Sequence, residues 1–308
     1  MRAVPDARAR LGIRIMGGMI ETVLGQLDAT RDAGLARMRD LLSIPSVSTD
    51  PSYVEHIHHA AEWVARQLRE VGLQTHIHPT DGHPVVIGRT SDGDVQPGPR
   101  VLFYGHYDVQ PPDPVEKWTT PPFEPTVRDG AIHARGASDD KGQVCCFLEA
   151  LRAWKDAHGR LPINLTVLIE GEEECGSVHL PKFIESHRDL LEADVALISD
   201  TTLWDTPDGP RPAIITALRG LLYFDVQLHG PNRDLHSGVF GASVANPATM
   251  LARVLGRLFD DDNRVTIPGF YDDVLTITDE QRDAWRDIPF DESRYLGNVG
   301  LKQPFGEA

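Results

Sequence analysis

Val101-Leu102-Phe103-Tyr104-Gly105-His106-Tyr107-Asp108-Val109 runs four apolar residues into a histidine and an aspartate. A short apolar run bounded by polar turns reads as a strand buried on both faces. The histidine and the acid therefore fall at the carboxyl end of a strand over 101–105. Two more segments end the same way. Leu165–Ile169 leads into Glu170-Gly171-Glu172-Glu173-Glu174-Cys175-Gly176, and Val195–Leu197 into Ile198-Ser199-Asp200. A fourth acidic segment, Gly136-Ala137-Ser138-Asp139-Asp140-Lys141-Gly142, directly precedes a helical pattern. In open α/β sheets ligands bind outside the carboxyl ends of the strands, so the four segments are expected at one edge. One imidazole among several carboxylates is a donor set suited to Zn²⁺, Mn²⁺ or Co²⁺.

Around these segments the pattern alternates between helix and strand. Apolar spacing predicts helices over 20–43, 53–71, 143–157 and 178–187, and strands over 73–78, 85–88, 163–169 and 195–199. Val127 to Ala134 around Asp129-Gly130 reads as a hairpin. The fold class is α/β, with helices on both faces of a sheet. Asp205 to Pro212 reads as a linker by composition. Beyond it, Ile214–Ala217 and Leu221–His229 alternate like an antiparallel pair, and helices are predicted over 245–259 and 279–287. The domain reading is a tail over 1–19, a catalytic domain over 20–210 and a partial α+β domain over 211–308.

The chain has 308 residues and a formal net charge of −16, which argues against a general nucleic-acid binder. Its three cysteines, at 145, 146 and 175, form neither a disulfide framework nor a CxxC metal site. That usage points to a reducing, cytoplasmic compartment. No apolar run reaches the ~18–20 residues of a membrane span. Singly, each acidic segment has an ordinary reading: a Glu run is a solvated helix start, Asp139-Asp140 an N-cap, Asp200 a turn residue. His56, His58 and His59 fall on a surface helix and His76 and His78 on a strand, and all five read as structural. Only the joint placement at strand ends favours a site.

Taken together, Phe103-Tyr-Gly-His106-Tyr-Asp108-Val-Gln-Pro111, Trp118, Pro122-Phe123, Arg128-Asp-Gly130 and Arg135-Gly136…Asp139-Asp140-Lys141-Gly142 resemble the M20 metallopeptidases. The Val-Gln-Pro ending is closest to the carnosinase-like dipeptidase branch, and the resemblance runs from about 35 to about 270. It implies a zinc-peptidase-like mixed sheet, a lid that also mediates homodimerisation, and two divalent metals, Zn²⁺ foremost with Mn²⁺ or Co²⁺ as alternatives. His106 and Asp200 would ligate one metal and Glu174 the other, with Asp139 bridging both across a cis peptide to Asp140. Glu173 would be the general base acting on a metal-bridging water, and Asp108 the acid that clamps the His106 ring. His236, in Asn232-Arg-Asp-Leu-His236-Ser-Gly238, would reach the substrate in the partner subunit, the other reading being a local capping histidine. The implied activity is hydrolysis of a dipeptide amide, with an N-acyl amino-acid deacylase or an inactive fragment as alternatives. The family's last histidine ligand has no counterpart after His236. The resemblance therefore reads as a C-terminally truncated member, expected to hold one metal tightly and the second weakly.

Overall fold

The computed structural model describes residues 17–215, 217–218 and 220–307. Of the expected tail, residues 1–16 lie outside the described residues, and residue 17 already begins a helix. The chain divides into two compact units, one ending at Thr201 and the other starting at Thr202.

The first unit opens with α1 (Gly17–Ala29) and α2 (Arg31–Leu42), where one helix was expected. The break falls at Thr30, whose Oγ1 donates to the Gln26 carbonyl at 2.9 Å. Thr30 itself leaves helical geometry, at φ −106° and ψ 9°, while its N–H still bonds the Gln26 carbonyl at 3.0 Å. There follow α3 (Val54–Glu70), β1 (Gln74–His78), β2 (Val85–Arg89), β3 (Arg100–His106) and the hairpin β4 (Thr126–Arg128) with β5 (Ala131–His133). Then come α4 (Lys141–His158), β6 (Asn164–Glu170), α5 (Leu180–Ser186) and β7 (Val195–Ile198). Five strands form a mixed sheet in the order β1-β2-β6-β3-β7. β3 lies parallel to both β6 and β7, and β2 antiparallel to β1 and β6.

Strand alternation divides the core between the two faces. Val86, Phe103, Val167 and Ile169 join Ile57, Val64, Leu68, Val144 and Leu148 of α3 and α4 on one side. Val85, Ile87 and Leu168 meet Phe183 of α5 on the other. The register aligns the strand ends that matter: His106 pairs with Glu170, and Tyr104 with Ile198. Asp200, two residues beyond Ile198, is thereby brought level with His106.

The second unit differs more from expectation. Residues 205–212 are not a linker. Trp204–Thr206 and Gly209–Arg211 pair as a hairpin, turned by Gly209 at φ 108°. No strand forms over 214–217 or 221–229 among the described residues, and Leu222 and Phe224 there are exposed. Alternation favours a strand only where a partner completes the ladder. Helices cover Pro247–Leu255, capped by Asn246, and Asp279–Arg286, closed by a Thr278–Gln281 capping box. A further helix, Glu292–Gly297, was not anticipated. Arg294 bonds both oxygens of Asp205 at 2.9 Å beside the Trp204, Phe290 and Tyr295 rings.

Candidate metal centre

His106 ends β3 fully buried. Its Nδ1 lies 3.1 Å from the Asp108 carbonyl and 3.3 Å from Asp108 Oδ1. Those acceptors hold the proton on Nδ1 and aim Nε2 at the open edge of the sheet. Nε2 faces Asp139 Oδ1 at 3.0 Å, Asp200 Oδ2 at 3.8 Å and Glu173 Oε2 at 3.9 Å. Donor atoms each about 2.0–2.2 Å from one ion lie within about 4 Å of one another. His106, Glu173 and Asp200 each present one donor atom, all within 4.8 Å of one another, a spacing that a bound ion would draw in.

Asp108 is as buried as the ring it clamps. Its Oδ1 accepts the Glu173 N–H at 3.3 Å and its Oδ2 the Glu174 N–H at 3.1 Å. One carboxylate thus fixes the histidine and the loop carrying both glutamates. That loop needs Gly171, where a Cβ would collide with the Tyr107 hydroxyl. Tyr107 is itself anchored to the Pro84 carbonyl at 2.6 Å. Asp139 precedes α4 across a cis peptide to Asp140. Asp140 Oδ2 accepts the His106 N–H at 3.1 Å, and its Oδ1 has no partner among the described residues. Lys141, also fully buried, ties this turn to α2 by donating to the carbonyls of Leu41 (3.2 Å) and Ile44 (2.6 Å).

The electrostatics is that of an anionic pocket awaiting positive charge. Burial alone would lower the His106 pKa. The hydrogen bond and charge of Asp108, with Asp140 and Glu173, outweigh it and carry His106 up to about 10. Burial, opposed by His106, raises Glu173 and Asp200, which also repel neighbouring carboxylates. Glu174 is raised by burial against the Gln110 hydrogen bond. A dication would relieve the repulsion and take the place of the Nε2 proton. One buried neutral-capable imidazole with clustered carboxylates fits a divalent metal.

The structure does not gather every expected residue alike. His106, Asp139, Asp200 and Glu173 converge. Glu174 is held by Gln110, whose Nε2 donates to its Oε2 at 3.0 Å and its carbonyl at 2.8 Å, and it is absent from the group around His106 Nε2, although the charges of Asp139 and His106 still act on it. His236 is an exposed N-cap in the second unit, its Nδ1 accepting from Gly238 N at 3.0 Å.

Several supporting residues were not singled out from sequence. Gln110 is one, although it stands in the quoted Val-Gln-Pro run. Glu172 is another: it bonds His179 Nδ1 at 2.9 Å and the His83 N–H at 3.1 Å, fixing the start of the loop. Tyr104 and Ser177 both donate to Glu170 Oε1, at 2.6 and 2.8 Å. No spacing rule links such distant positions.

Residues 102–293 match the family model described as Peptidase family M20/M25/M40. The chain is 33% identical over 277 residues to the Cys-Gly metallodipeptidase dug1 of Schizosaccharomyces pombe, covering 86% of this chain and 57% of that one. It is 31% identical over 303 residues to the human Beta-Ala-His dipeptidase, covering 92% and 58%. Among solved structures, an M20 family metallo-carboxypeptidase from Sulfolobus solfataricus superposes with a TM-score of 0.76 at 35% identity, covering 88% of this chain and 60% of that one. The chain therefore spans less than two thirds of the length of these relatives.

Proposed function

The chain belongs to peptidase family M20/M25/M40, and on that premise we propose that it hydrolyses the amide bond of dipeptides at the centre built around His106. The observation that carries this reading is the convergence of Asp139, Asp200 and Glu173 on His106 Nε2 within 3.9 Å. The dipeptidase names of the relatives support it.

Two divalent ions, Zn²⁺ foremost and Mn²⁺ or Co²⁺ as alternatives, would be held by His106 and Asp200, by Glu174, and by Asp139 between them. Bound metal supplies Lewis acidity, polarising the scissile carbonyl and acidifying the attacking water. The remaining chemistry falls to side chains. Asp108 keeps the His106 proton on Nδ1 and holds the base loop by two backbone N–H groups. Glu173 takes a proton from the attacking water at a carboxylate oxygen and returns it to the leaving amine nitrogen. Its pKa, raised by burial and by the neighbouring carboxylates Glu174 and Asp200, moves towards the working pH, where a general base is most effective. A second reading, with Glu173 as ligand and Glu174 as base, is favoured by the closeness of Glu173 to His106 and by the Gln110 hydrogen bond to Glu174. Metal content of the Glu173 variant separates the two.

By the same resemblance the residues after 211 form a lid through which two chains pair, and His236 contacts substrate. Light scattering tests the pairing. The activity is tested by supplying Zn²⁺ or Mn²⁺ and assaying Cys-Gly, β-Ala-His and N-acetyl amino acids together. Release of free amino acids from the dipeptides is expected. Cleavage of the N-acyl compounds alone identifies a deacylase. A metal-loaded chain that cleaves neither class overturns the reading.

A further inference from the structure

Outside the residues assigned to the metal centre, in the segment that leads into Asp139, lies a cavity of about 430 Å³. Its lining includes Asp113, Lys117, Trp118, Arg128, His133 and Ser138. Ser138 is the residue before Asp139, so the lining reaches within one residue of the centre along the chain. The β4–β5 hairpin builds its cationic wall. Thr126 pairs with His133 and Arg128 with Ala131, so Arg128 and His133 share one face of the hairpin. Arg128 Nη2 donates to His133 Nδ1 at 3.1 Å. That bond puts the ring proton on His133 Nε2 and leaves a second donor beside the guanidinium.

The charges of this wall are unspent. Several basic side chains in this acid-rich chain are tied to carboxylates, among them Arg37, Arg100 and Lys182. Among the described residues, neither Arg128 nor Lys117 has a carboxylate within 4.0 Å. Asp113 contributes a carboxylate to the lining, against two permanent cations. Trp118 is held in place by its own bond to the Pro112 carbonyl (2.7 Å) and by Arg135 over its ring at 5.3 Å. A fixed apolar wall beside a guanidinium with free N–H groups suits a planar carboxylate, which guanidinium binds in a bidentate fork.

We propose that this cavity is an anion subsite that receives the side-chain carboxylate of an acidic dipeptide, biasing the enzyme towards such substrates. The assignment to a substrate rests on the hydrolase reading; the anion site does not. Two measurements separate them. Succinate is titrated calorimetrically at low ionic strength into the full chain and into Arg128→Met and Arg128→Lys. In parallel, kcat/KM is compared for Asp-Ala against Asn-Ala and Ala-Asp against Ala-Asn. Succinate binding is expected to weaken at least tenfold in Arg128→Met and to be partly restored in Arg128→Lys. One Asp/Asn pair should show a carboxylate preference that drops at least tenfold in Arg128→Met, through KM. Equal succinate binding by wild type and Arg128→Met overturns the site. Arg128-dependent succinate binding without any Asp preference overturns the substrate assignment and identifies a site for free anions. Arg128-dependent binding with no dipeptide turned over overturns the hydrolase reading while the anion site stands.

Discussion

Replacing Asp108 by Asn tests the most connected group of the centre. Its carboxylate lies 3.3 Å from His106 Nδ1 and accepts the N–H groups of Glu173 (3.3 Å) and Glu174 (3.1 Å). Asp108 and His106 are fully buried, and the two bonds to the loop are partly shielded. Asparagine keeps the shape but turns one oxygen into a donor. Whichever way the amide faces, at least one N–H group of the base loop or of His106 then meets another donor. A buried donor left unpaired costs about 1–3 kcal/mol. That agrees with the 10–100-fold loss typical when the partner of a metal-bound histidine is removed. The assay is calorimetric titration of Zn²⁺ into chelator-stripped wild type and Asp108→Asn, with circular dichroism to confirm an unchanged fold. We expect metal binding weaker by about 10–100-fold. In the stripped chain, the His106 pKa should also fall from its value of about 10, because Asp108 is its main support. Zinc affinity within twofold of wild type would refute the argument that Asp108 orients the ring and the loop.

Glu173→Gln should lower turnover about 10²–10⁴-fold with metal content unchanged; loss of metal would exchange the roles of Glu173 and Glu174. The stripped chain should lose stability as pH rises. His106 has a folded pKa of about 10 against 6.5. Its contribution is therefore complete below about 6.5 and lost on the way through about 10. Glu173, Glu174 and Asp200, also raised, act in the same sense at lower pH. Thermal melts across that range should fall for the stripped chain and much less for the metal-loaded one, and a stripped chain that gains stability towards pH 10 would contradict this. Gly171→Ala should cost about 1–3 kcal/mol by overpacking, because the new methyl meets the Tyr107 hydroxyl. Combining it with Tyr107→Phe should recover little, because ring carbons Cζ and Cε2 also overlap the new methyl, whereas combining it with Tyr107→Ala should recover part of the loss relative to the sum of the single variants, as a double-mutant cycle of thermal stabilities would record.

The strand ends were legible because chemistry and burial coincide there. Val101–Tyr104 and Leu165–Ile169 are short apolar runs that can only be buried, and the polar residue after each must lie at the sheet edge. That logic placed the segments carrying His106, Glu173 and Asp200 at one edge of the sheet without any tertiary information. It failed where the outcome depended on distant partners. Leu221–His229 alternates like a strand, yet a strand needs a neighbour for its ladder, and the sequence does not say whether one is present. The break at Thr30 is a single residue leaving helical φ/ψ, which no spacing pattern marks. The residues that hold the site together, Gln110 on Glu174 and Glu172 on His179, were invisible because their partners are set by how the loops stack. The family resemblance implied roles for both Glu173 and Glu174; which of them faces His106 is decided by the turn around Asp108.

The claim that carries the whole account is that His106 and Asp139 hold a catalytic divalent metal. Elemental analysis after dialysis of the wild-type chain and the His106→Ala/Asp139→Asn variant, each loaded with Zn²⁺ and each checked for an intact fold, tests it directly. The account predicts at least one equivalent retained by wild type and essentially none by the variant. A wild-type chain that retains no metal, or a variant that retains as much as wild type, would contradict it.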